Sequence, residues 1–306
     1  MKTGEILRFF RKNNRQKQKE VLPSDMSLSV YSRIESGKQS MDFGSLQQTL
    51  ESLCITPEEF IAFSDVDYEQ RRFIGLFNYC GCHPENQTKK KQLLSYYNLY
   101  ISDNNLSLTS YSNLIAIKRF FGVHWEEVEQ LKRDEVNDIV NYISNRSFLT
   151  YYDYNILLNI SSLLSAEQAN AIIHKALPIK QENKRSRKTK VFAYNIARNL
   201  ITAMLYEGEF QSARKYIELA KMQDVELVNY NYRMHIQYLQ NLLDYLETGN
   251  AKYHEKIMHY IHTLEDIGDH AVVEDINKEV RSLTHQKGSG ISLWDDIHPI
   301  TIFKED

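Results

Sequence analysis

The stretch from residue 15 to residue 40, RQKQKEVLPSDMSLSVYSRIESGKQS, decides how the N-terminal part of this chain folds. A short helix is predicted over 18–22, and it has to stop there because a residue that precedes proline, here Pro23, is pushed out of the α region. Ser27 is a favourable N-cap for a helix over 28–35, and Gly37 is typical of a helix end. The pattern therefore predicts two helices joined by a tight turn.

The second of these helices has two different faces. Tyr31 and Ile34 lie three residues apart and form an apolar stripe, which we expect to pack inward. Ser29, Ser32 and Arg33 fall on the other side. The helix thus offers a short, polar and basic surface to a partner.

Working outward, residues 1–63 read as five short helices. An apolar stripe near Ile6 predicts the first, and leucines at i, i+4 and i+7 predict the fourth, over 43–53. Thr56 followed by Pro57 has the form of a cap and first turn for the fifth. The polar residues 64–67 are predicted to be a linker.

Charge separates this segment from the rest of the chain. Residues 1–38 contain nine Lys or Arg and four Asp or Glu, whereas the whole chain of 306 residues has a net charge of −3. A basic end on an acidic protein indicates nucleic-acid binding there and another purpose for the remainder.

The same stretch resembles the helix-turn-helix of the phage-repressor superfamily. The run YSRIESGK is its strongest part, and the matching positions are Gln18, Met26, Ser27, Tyr31, Ile34, Glu35 and Gly37. The turn is one residue shorter and lacks the usual glycine, a form similar to the Rgg/PrgX type of regulator. Residues 45–63, 154–178 and 198–217 also resemble stretches of those proteins.

This resemblance implies a function and an assembly. It implies a cytoplasmic transcription regulator of a Gram-positive bacterium, acting in quorum sensing by binding a short hydrophobic peptide pheromone. It also implies a homodimer, or a higher oligomer, on a double-stranded DNA operator, and an ion pair between Arg11 and Glu35. We expect no enzyme activity, no cofactor and no metal site.

Seven residues are predicted to contact DNA. Arg33 is the candidate for reading a base, because its planar fork can bond guanine O6 and N7 together, and the others would reach base edges or phosphates. The full set is Gln18, Ser27, Ser29, Ser32, Arg33, Lys38 and Gln39. The alternative for Arg33 and Lys38 is that they are ordinary solvated charges.

Residues 68–285 are predicted to be a helical repeat domain that senses the peptide and dimerises. The order Gly208, Phe210, Ala213, Ile217, Ala220 resembles the turn and second helix of a tetratricopeptide repeat. A second glycine, Gly249, follows about 40 residues later. The whole chain is therefore predicted to be all-α.

Asparagine pairs suggest where the peptide binds. Asparagine is a poor residue inside a helix, yet its amide can both donate to and accept from a peptide main chain. The predicted peptide-binding residues are Asn159, Asn195, Arg198, Asn199, Asn231 and Tyr238. The alternative is that asparagine is simply common in this chain.

Other segments carry weaker signals. The basic run 184–190 is predicted to be an interhelix loop, solvated or a second electrostatic surface. The sequence Cys80-Gly81-Cys82-His83 lacks the second pair that a zinc site needs.

Residues 286–306 are predicted to be a C-terminal arm that packs on the helical domain and takes part in switching. No apolar run is long enough for a membrane helix.

Two rival interpretations remain at this stage. One is a helical-repeat adaptor that holds a partner protein. The other is a phage-type regulator with no peptide ligand.

Overall fold

A computed structural model describes residues 1–224 and 229–285, and these residues form α-helices and two short 3-10 turns with no strand. The all-α prediction is confirmed. The chain divides into two compact units, Met1–Lys89 and the remainder from Lys90 onward. The predicted linker 64–67 falls between two helices of the first unit, so a domain boundary at that point stays a prediction. The predicted C-terminal arm lies outside the described residues.

The first unit opens with five short helices. They are α1 (Thr3–Asn13), α2 (Gln18–Val21), α3 (Leu28–Glu35), α4 (Phe43–Leu53) and α5 (Pro57–Phe63). Helix α6 (Tyr68–Cys82) follows, and α7 (Gln87–Ser102) crosses into the second unit. The predicted bounds of α3 and α4 are confirmed, whereas α2 ends one residue early because Leu22, before Pro23, is already extended.

Close packing of α1 on α3 holds helix α3 in place. Ile6, Leu7, Tyr31 and Ile34 are buried together in one core. A Cβ added at Gly4 would lie 1.9 Å from the carbonyl oxygen of Ile34, so only glycine lets the two helices approach this closely. Met26, predicted to be the buried residue of the turn, is only partly buried against this core.

The second unit is a two-layer array of helices. Its helices are α8 (Leu108–Phe121), α9 (Arg133–Ser144), α10 (Tyr151–Ile160), α11 (Ala166–Ala176), α12 (Arg187–Tyr206), α13 (Phe210–Lys221), α14 (Tyr230–Thr248), α15 (Ala251–Asp266) and α16 (His270–His285). The even-numbered helices pack side by side in chain order, and the odd-numbered helices cover them as the other layer. This is the arrangement of a tetratricopeptide-like repeat.

The turn between α12 and α13 shows why the repeat pattern works. Gly208 has φ +73, a left-handed conformation that glycine adopts without strain. Ala213, Ile217 and Ala220 are fully buried, and the small alanines let α13 lie close on α12. Gly249 repeats the turn with φ +65.

Part of the basic run is helical, which corrects the predicted loop. Ser186 caps α12 by accepting a hydrogen bond from the backbone N–H of Thr189, so Arg187–Lys190 form the first turn. The side chain of Arg185 is bonded within the protein as well as solvated, because its guanidinium donates to the carbonyl of Leu149 at 2.8 Å. None of the described helices combines the length and apolar character that crossing a membrane requires.

Candidate functional site

Helix α3 presents the polar surface that its sequence predicted. Tyr31 and Ile34 are buried, whereas Ser29, Ser32 and Arg33 are exposed. Ser27 caps the helix, with its Oγ accepting from the N–H of Val30 at 3.4 Å. The exposed side chains of α3 therefore project from a helix whose start and inner face are fixed.

The end of α3 continues this surface. Gly37 has φ +72, and the backbone N–H of Lys38 donates to the carbonyl of Arg33 at 2.9 Å. This left-handed turn is a common helix end. Lys38 and Gln39 follow it and are both exposed, so five of the seven predicted DNA contacts lie in or directly after α3 with exposed side chains.

A charged cluster under α3 holds it to α1. The guanidinium of Arg11 meets Glu35 in a two-pronged pair, Nε to Oε1 at 2.5 Å and Nη2 to Oε2 at 2.7 Å. The ion pair that the resemblance implied is confirmed. Burial opposes the charge of Glu35, but the bonds from Arg11 and Gln18 outweigh it and lower its pKa.

Gln18 belongs to this cluster. Its Nε2 donates to Glu35 Oε2 at 2.8 Å. The phosphate contact that we expected of Gln18 stays a prediction, and within the protein its amide already has Glu35 as a partner. The sequence predicts that Gln18 begins a helix, but it does not show that Glu35 is the hydrogen-bonding partner of its side chain.

A second group of polar side chains crosses the even-numbered layer of the second unit. We call it the polar ladder; its members are Ser112 on α8, Asn155 and Asn159 on α10, Ser161 after α10, Asn195, Arg198, Asn199 and Thr202 on α12, His235 and Tyr238 on α14, and Glu279 on α16. Five of the six predicted peptide contacts lie in it: Asn159, Asn195, Arg198, Asn199 and Tyr238. Asn231 does not, since it is exposed in the first turn of α14.

The first rungs of the ladder connect α8, α10 and α12 through amides. Asn155 donates from Nδ2 to Ser112 Oγ at 2.8 Å, and Asn159 donates to the backbone carbonyl of Asn155 at 2.8 Å. Asn199 donates to Ser161 Oγ at 2.9 Å. The amide of Asn155 also accepts from Asn159 Nδ2 at 3.4 Å, so each of the three amides has an internal partner and retains further donor or acceptor capacity.

The middle rung connects α12 to α14. Arg198 Nη2 lies 3.1 Å from His235 Nδ1, and its Nη1 lies 3.4 Å from Asn195 Oδ1. The hydroxyl of Tyr260 on α15 also lies 3.2 Å from His235 Nδ1. Burial, and then the charge of Arg198, hold the pKa of His235 well below 6.5.

The last rung ties α16 to both α12 and α14. Glu279 accepts from Tyr238 Oη at 2.5 Å and from Thr202 Oγ1 at 3.0 Å. Helices α12 and α16 both pack on α14, and their side chains meet at Glu279. Tyr238 is only 1% exposed and its hydroxyl is bonded to Glu279, so the predicted peptide contact at Tyr238 stays a prediction.

Sequence reasoning missed Thr202, His235 and Glu279. Glu279 carried a signal, because it lies among Ile276, Val280 and Leu283 on the apolar stripe of α16. An acid in such a stripe needs a buried partner. Thr202 and His235 carried no comparable signal.

The cysteine cluster does not form a metal site in the described residues, where no group of three or more His, Cys, Asp and Glu side chains could hold an ion. Cys80 is buried and Cys82 is exposed, so the two thiols of α6 face different surroundings. Burial raises the pKa of Cys80 to about 11, which leaves it an unreactive thiol.

The fold and the two sites define a helix-turn-helix transcription regulator with a tetratricopeptide-like domain. Residues 83–278 match the family described as HTH-type transcriptional regulator Rgg, C-terminal domain. The chain belongs to the Rgg family. A search of curated protein sequences finds no match.

Solved structures have the same fold. A cysteine mutant of PrgX is 18% identical with a TM-score of 0.76, covering 93% of this chain and 95% of that one. The SHP pheromone receptor Rgg2 of Streptococcus dysgalactiae is 16% identical with a TM-score of 0.74, covering 92% and 99%. The PrgX/cCF10 complex is 18% identical with a TM-score of 0.73, also covering 92% and 99%.

Proposed function

We propose that this regulator binds operator DNA through α3 and is controlled by a short hydrophobic peptide pheromone held along the polar ladder. The observation that carries the proposal is the ladder itself: side-chain amides of the neighbouring helices α10 and α12 form hydrogen bonds within one layer of helices. Such amides satisfy the N–H and C=O groups of an extended peptide.

The DNA-binding half follows from the exposed face of α3. Arg33 would read a base in the major groove, and Ser29 and Ser32 would reach neighbouring base edges or phosphates. Ser27 would approach the phosphate backbone of the DNA from the start of α3. Lys38 and Gln39 would approach it from the end of that helix. Gln18 would contribute by holding Glu35 in place.

We propose that the protein works as a homodimer in the cytoplasm. Two copies of α3, one from each protomer, would enter successive major grooves about 34 Å apart on a near-palindromic operator. Residues 1–63 would form the DNA-binding domain and residues 68–285 the sensing and dimerising domain.

The peptide-binding half is supported by the neighbouring structures. Rgg2 is described as an SHP pheromone receptor, and PrgX was solved as a complex with cCF10. In this chain, Asn159, Asn195 and Asn199 would hold the peptide main chain, with Arg198 beside them. Asn231 would contact the peptide from the start of α14. Tyr238, which is buried, would support the peptide-binding side chains of the ladder from within the protein.

Regulation requires unequal affinity of the peptide for two states of the protein. The ladder supplies the connection, since it bonds α12 to α14 and both of them to α16. A peptide that replaced one of these internal bonds would favour a different arrangement of the helices. The dimer geometry or assembly would then change.

The test combines DNA selection with a peptide titration. An operator is first selected from random duplexes with the purified full-length protein. Gel shifts on that operator are then run with synthetic peptides that match the hydrophobic C-terminal ends of short reading frames beside the gene. We expect one peptide to change the affinity or the mobility of the complex. Selection of an operator with no response to any peptide would favour a phage-type regulator, and failure to select DNA would favour an adaptor.

A further inference from the structure

Arg198 is held by neutral groups. Its two hydrogen-bonding neighbours are the imidazole of His235 and the amide of Asn195. Among residues 1–224 and 229–285, no Asp or Glu oxygen forms a salt bridge with this guanidinium. The side chain is partly buried, and its desolvation lowers the pKa of Arg198, although a guanidinium remains charged in a protein.

The imidazole does not compensate this charge. The lowered pKa of His235 keeps the ring neutral near pH 7, and Nδ1 then accepts from Arg198 when the proton is on Nε2. A neutral acceptor satisfies one N–H of the guanidinium but cancels none of its charge.

Glu279 is the acidic residue of the ladder, and its carboxylate accepts hydrogen bonds from groups other than Arg198. Its two carboxylate oxygens accept from the hydroxyls of Tyr238 and Thr202. Burial raises the pKa of Glu279, so its environment favours the neutral acid more than water does. The charge of Glu279 still acts on Arg198 at a distance, but the guanidinium lacks the close partner that a desolvated charge requires.

We propose that Arg198 receives a carboxylate of the bound peptide, either its terminal α-carboxylate or an Asp or Glu side chain. This inference rests on the proposed function and names the chemical group that the ladder selects. The planar fork of arginine matches two carboxylate oxygens, which gives both affinity and orientation.

The position of Arg198 also connects the carboxylate to the helices. Asn195 and Asn199 flank Arg198 on α12 and are placed to hold the peptide units next to the carboxylate. A carboxylate that takes the N–H groups now given to His235 and Asn195 removes the side-chain bond from α12 to α14 at that rung.

The experiment uses three pools of synthetic seven-residue peptides, randomised over Leu, Ile, Val, Phe, Gly and Ser. The first pool has a free C-terminal carboxylate, the second a C-terminal amide, and the third a C-terminal amide with one internal Asp. Each pool is incubated with the full-length protein, and the retained peptides are quantified by mass spectrometry after gel filtration. We expect a carboxylate pool to be retained roughly 10- to 100-fold better than the amide pool, as a charge-assisted bond requires.

Comparison of the first and third pools identifies the source of the carboxylate. R198Q should retain the amide pool as the natural protein does and lose the preference for carboxylates. The matched control is R214Q on α13, because Arg214 is paired with Asp244 at 3.1 Å and with Glu247. R214Q should keep the preference.

Two outcomes contradict the inference alone: equal retention of amide and carboxylate pools by the natural protein, or a preference that survives in R198Q. Retention of no pool at all contradicts the proposed peptide binding itself, and the inference with it.

Thermal unfolding without peptide gives an independent readout. A charge that lacks a close partner does not stabilise the fold, so R198M should unfold at the same temperature as the natural protein or higher. A fall of more than about 3 °C, which corresponds to roughly 1 kcal/mol for a domain of this size, would show that Arg198 is a structural residue and would contradict the inference.

Discussion

Arg11 and Arg198 are two partly buried arginines in different units of the same chain. Arg11 meets both oxygens of Glu35, and a third donor from Gln18 completes the cluster. Arg198 meets a neutral imidazole and a neutral amide. The first guanidinium is balanced within the fold, whereas the second is positioned by the fold and has no close counter-charge among the described residues.

This difference separates two uses of a charged side chain. A balanced buried pair keeps two helices in one arrangement, because removal of either partner leaves a desolvated charge. An unbalanced charge adds little to the stability of the fold and gains a partner only when a ligand arrives. Substitution of Glu35 should therefore affect the stability of the first unit, and substitution of Arg198 or Asn199 should affect ligand binding by the second.

The largest effect is expected from Glu35→Ala. It leaves Arg11 buried without its partner, which should lower the free energy of unfolding of the first unit by about 3–5 kcal/mol. Chemical denaturation followed by circular dichroism measures this loss. The control is Glu58→Ala, which removes an exposed acid of α5 and should change the stability by less than about 0.5 kcal/mol. Equal stability of the two variants would show that the Arg11–Glu35 ion pair does not hold α1 and α3 together.

The same pair predicts a dependence on pH. The pKa of Glu35 is lowered in the folded state below its ordinary value of 4.5. A lowered pKa gives stability that is fully present above the unfolded value and is lost as pH falls through the folded value. The first unit should therefore lose stability progressively below pH 4.5, and Glu35→Gln should lose less over the same range. Parallel pH profiles for the two proteins would contradict this assignment.

In the second unit, Asn199→Ala tests the ladder as a binding surface. It removes an amide that would satisfy the peptide main chain, and an unpaired buried group costs about 1–3 kcal/mol. Peptide affinity should fall roughly 10- to 100-fold by calorimetry, and Arg198→Ala should show a similar loss. DNA affinity without peptide should stay unchanged in both variants.

Asn145→Ala serves as the control for this experiment. Asn145 is an exposed residue at the end of α9, in the other layer of helices. The peptide affinity of this variant should equal that of the natural protein. Natural affinity in Asn199→Ala and Arg198→Ala as well would remove the ladder from the binding site and favour the adaptor.

The two units also differ in how far the sequence could predict them. The signals in α3 are local: a serine cap, two inward residues three apart and a glycine end specify the helix and its exposed face. The Arg11–Glu35 pair became predictable only through the resemblance, since 24 positions separate the two residues.

The ladder depends on contacts between distant residues. The asparagines were visible as poor helix residues, but their partners Ser112 and Ser161 lie about 40 positions away along the chain. The hydroxyl of Tyr238 bonds to Glu279 on α16, a partner 41 positions away that the local sequence does not reveal. Local sequence patterns carry no information on which helices come together to form such bonds.

An effect of comparable size is expected for Arg33→Ala, which concerns sequence reading by α3. Loss of a two-pronged contact to guanine should weaken operator binding by about 1–3 kcal/mol and relax the preference at one base step. Binding to operators mutated one base pair at a time measures both quantities. Arg72→Ala, at an exposed arginine of α6, should keep the affinity and the preference. An unchanged base preference in Arg33→Ala would mean that another side chain reads that step.

Lys38→Ala should have the smallest effect, and an effect of a different kind. Lys38 follows α3 and is exposed, so we expect it to contact a phosphate, which carries no base information. Its loss should weaken operator and random DNA by the same factor and reduce the slope of log affinity against log salt by about 0.9. Gel shifts on both duplexes at several salt concentrations provide the measurement, with Lys252→Ala on α15 as a control that leaves the slope unchanged. A loss confined to the operator would make Lys38 a base-reading residue, and an unchanged slope would make it a solvated charge outside the interface.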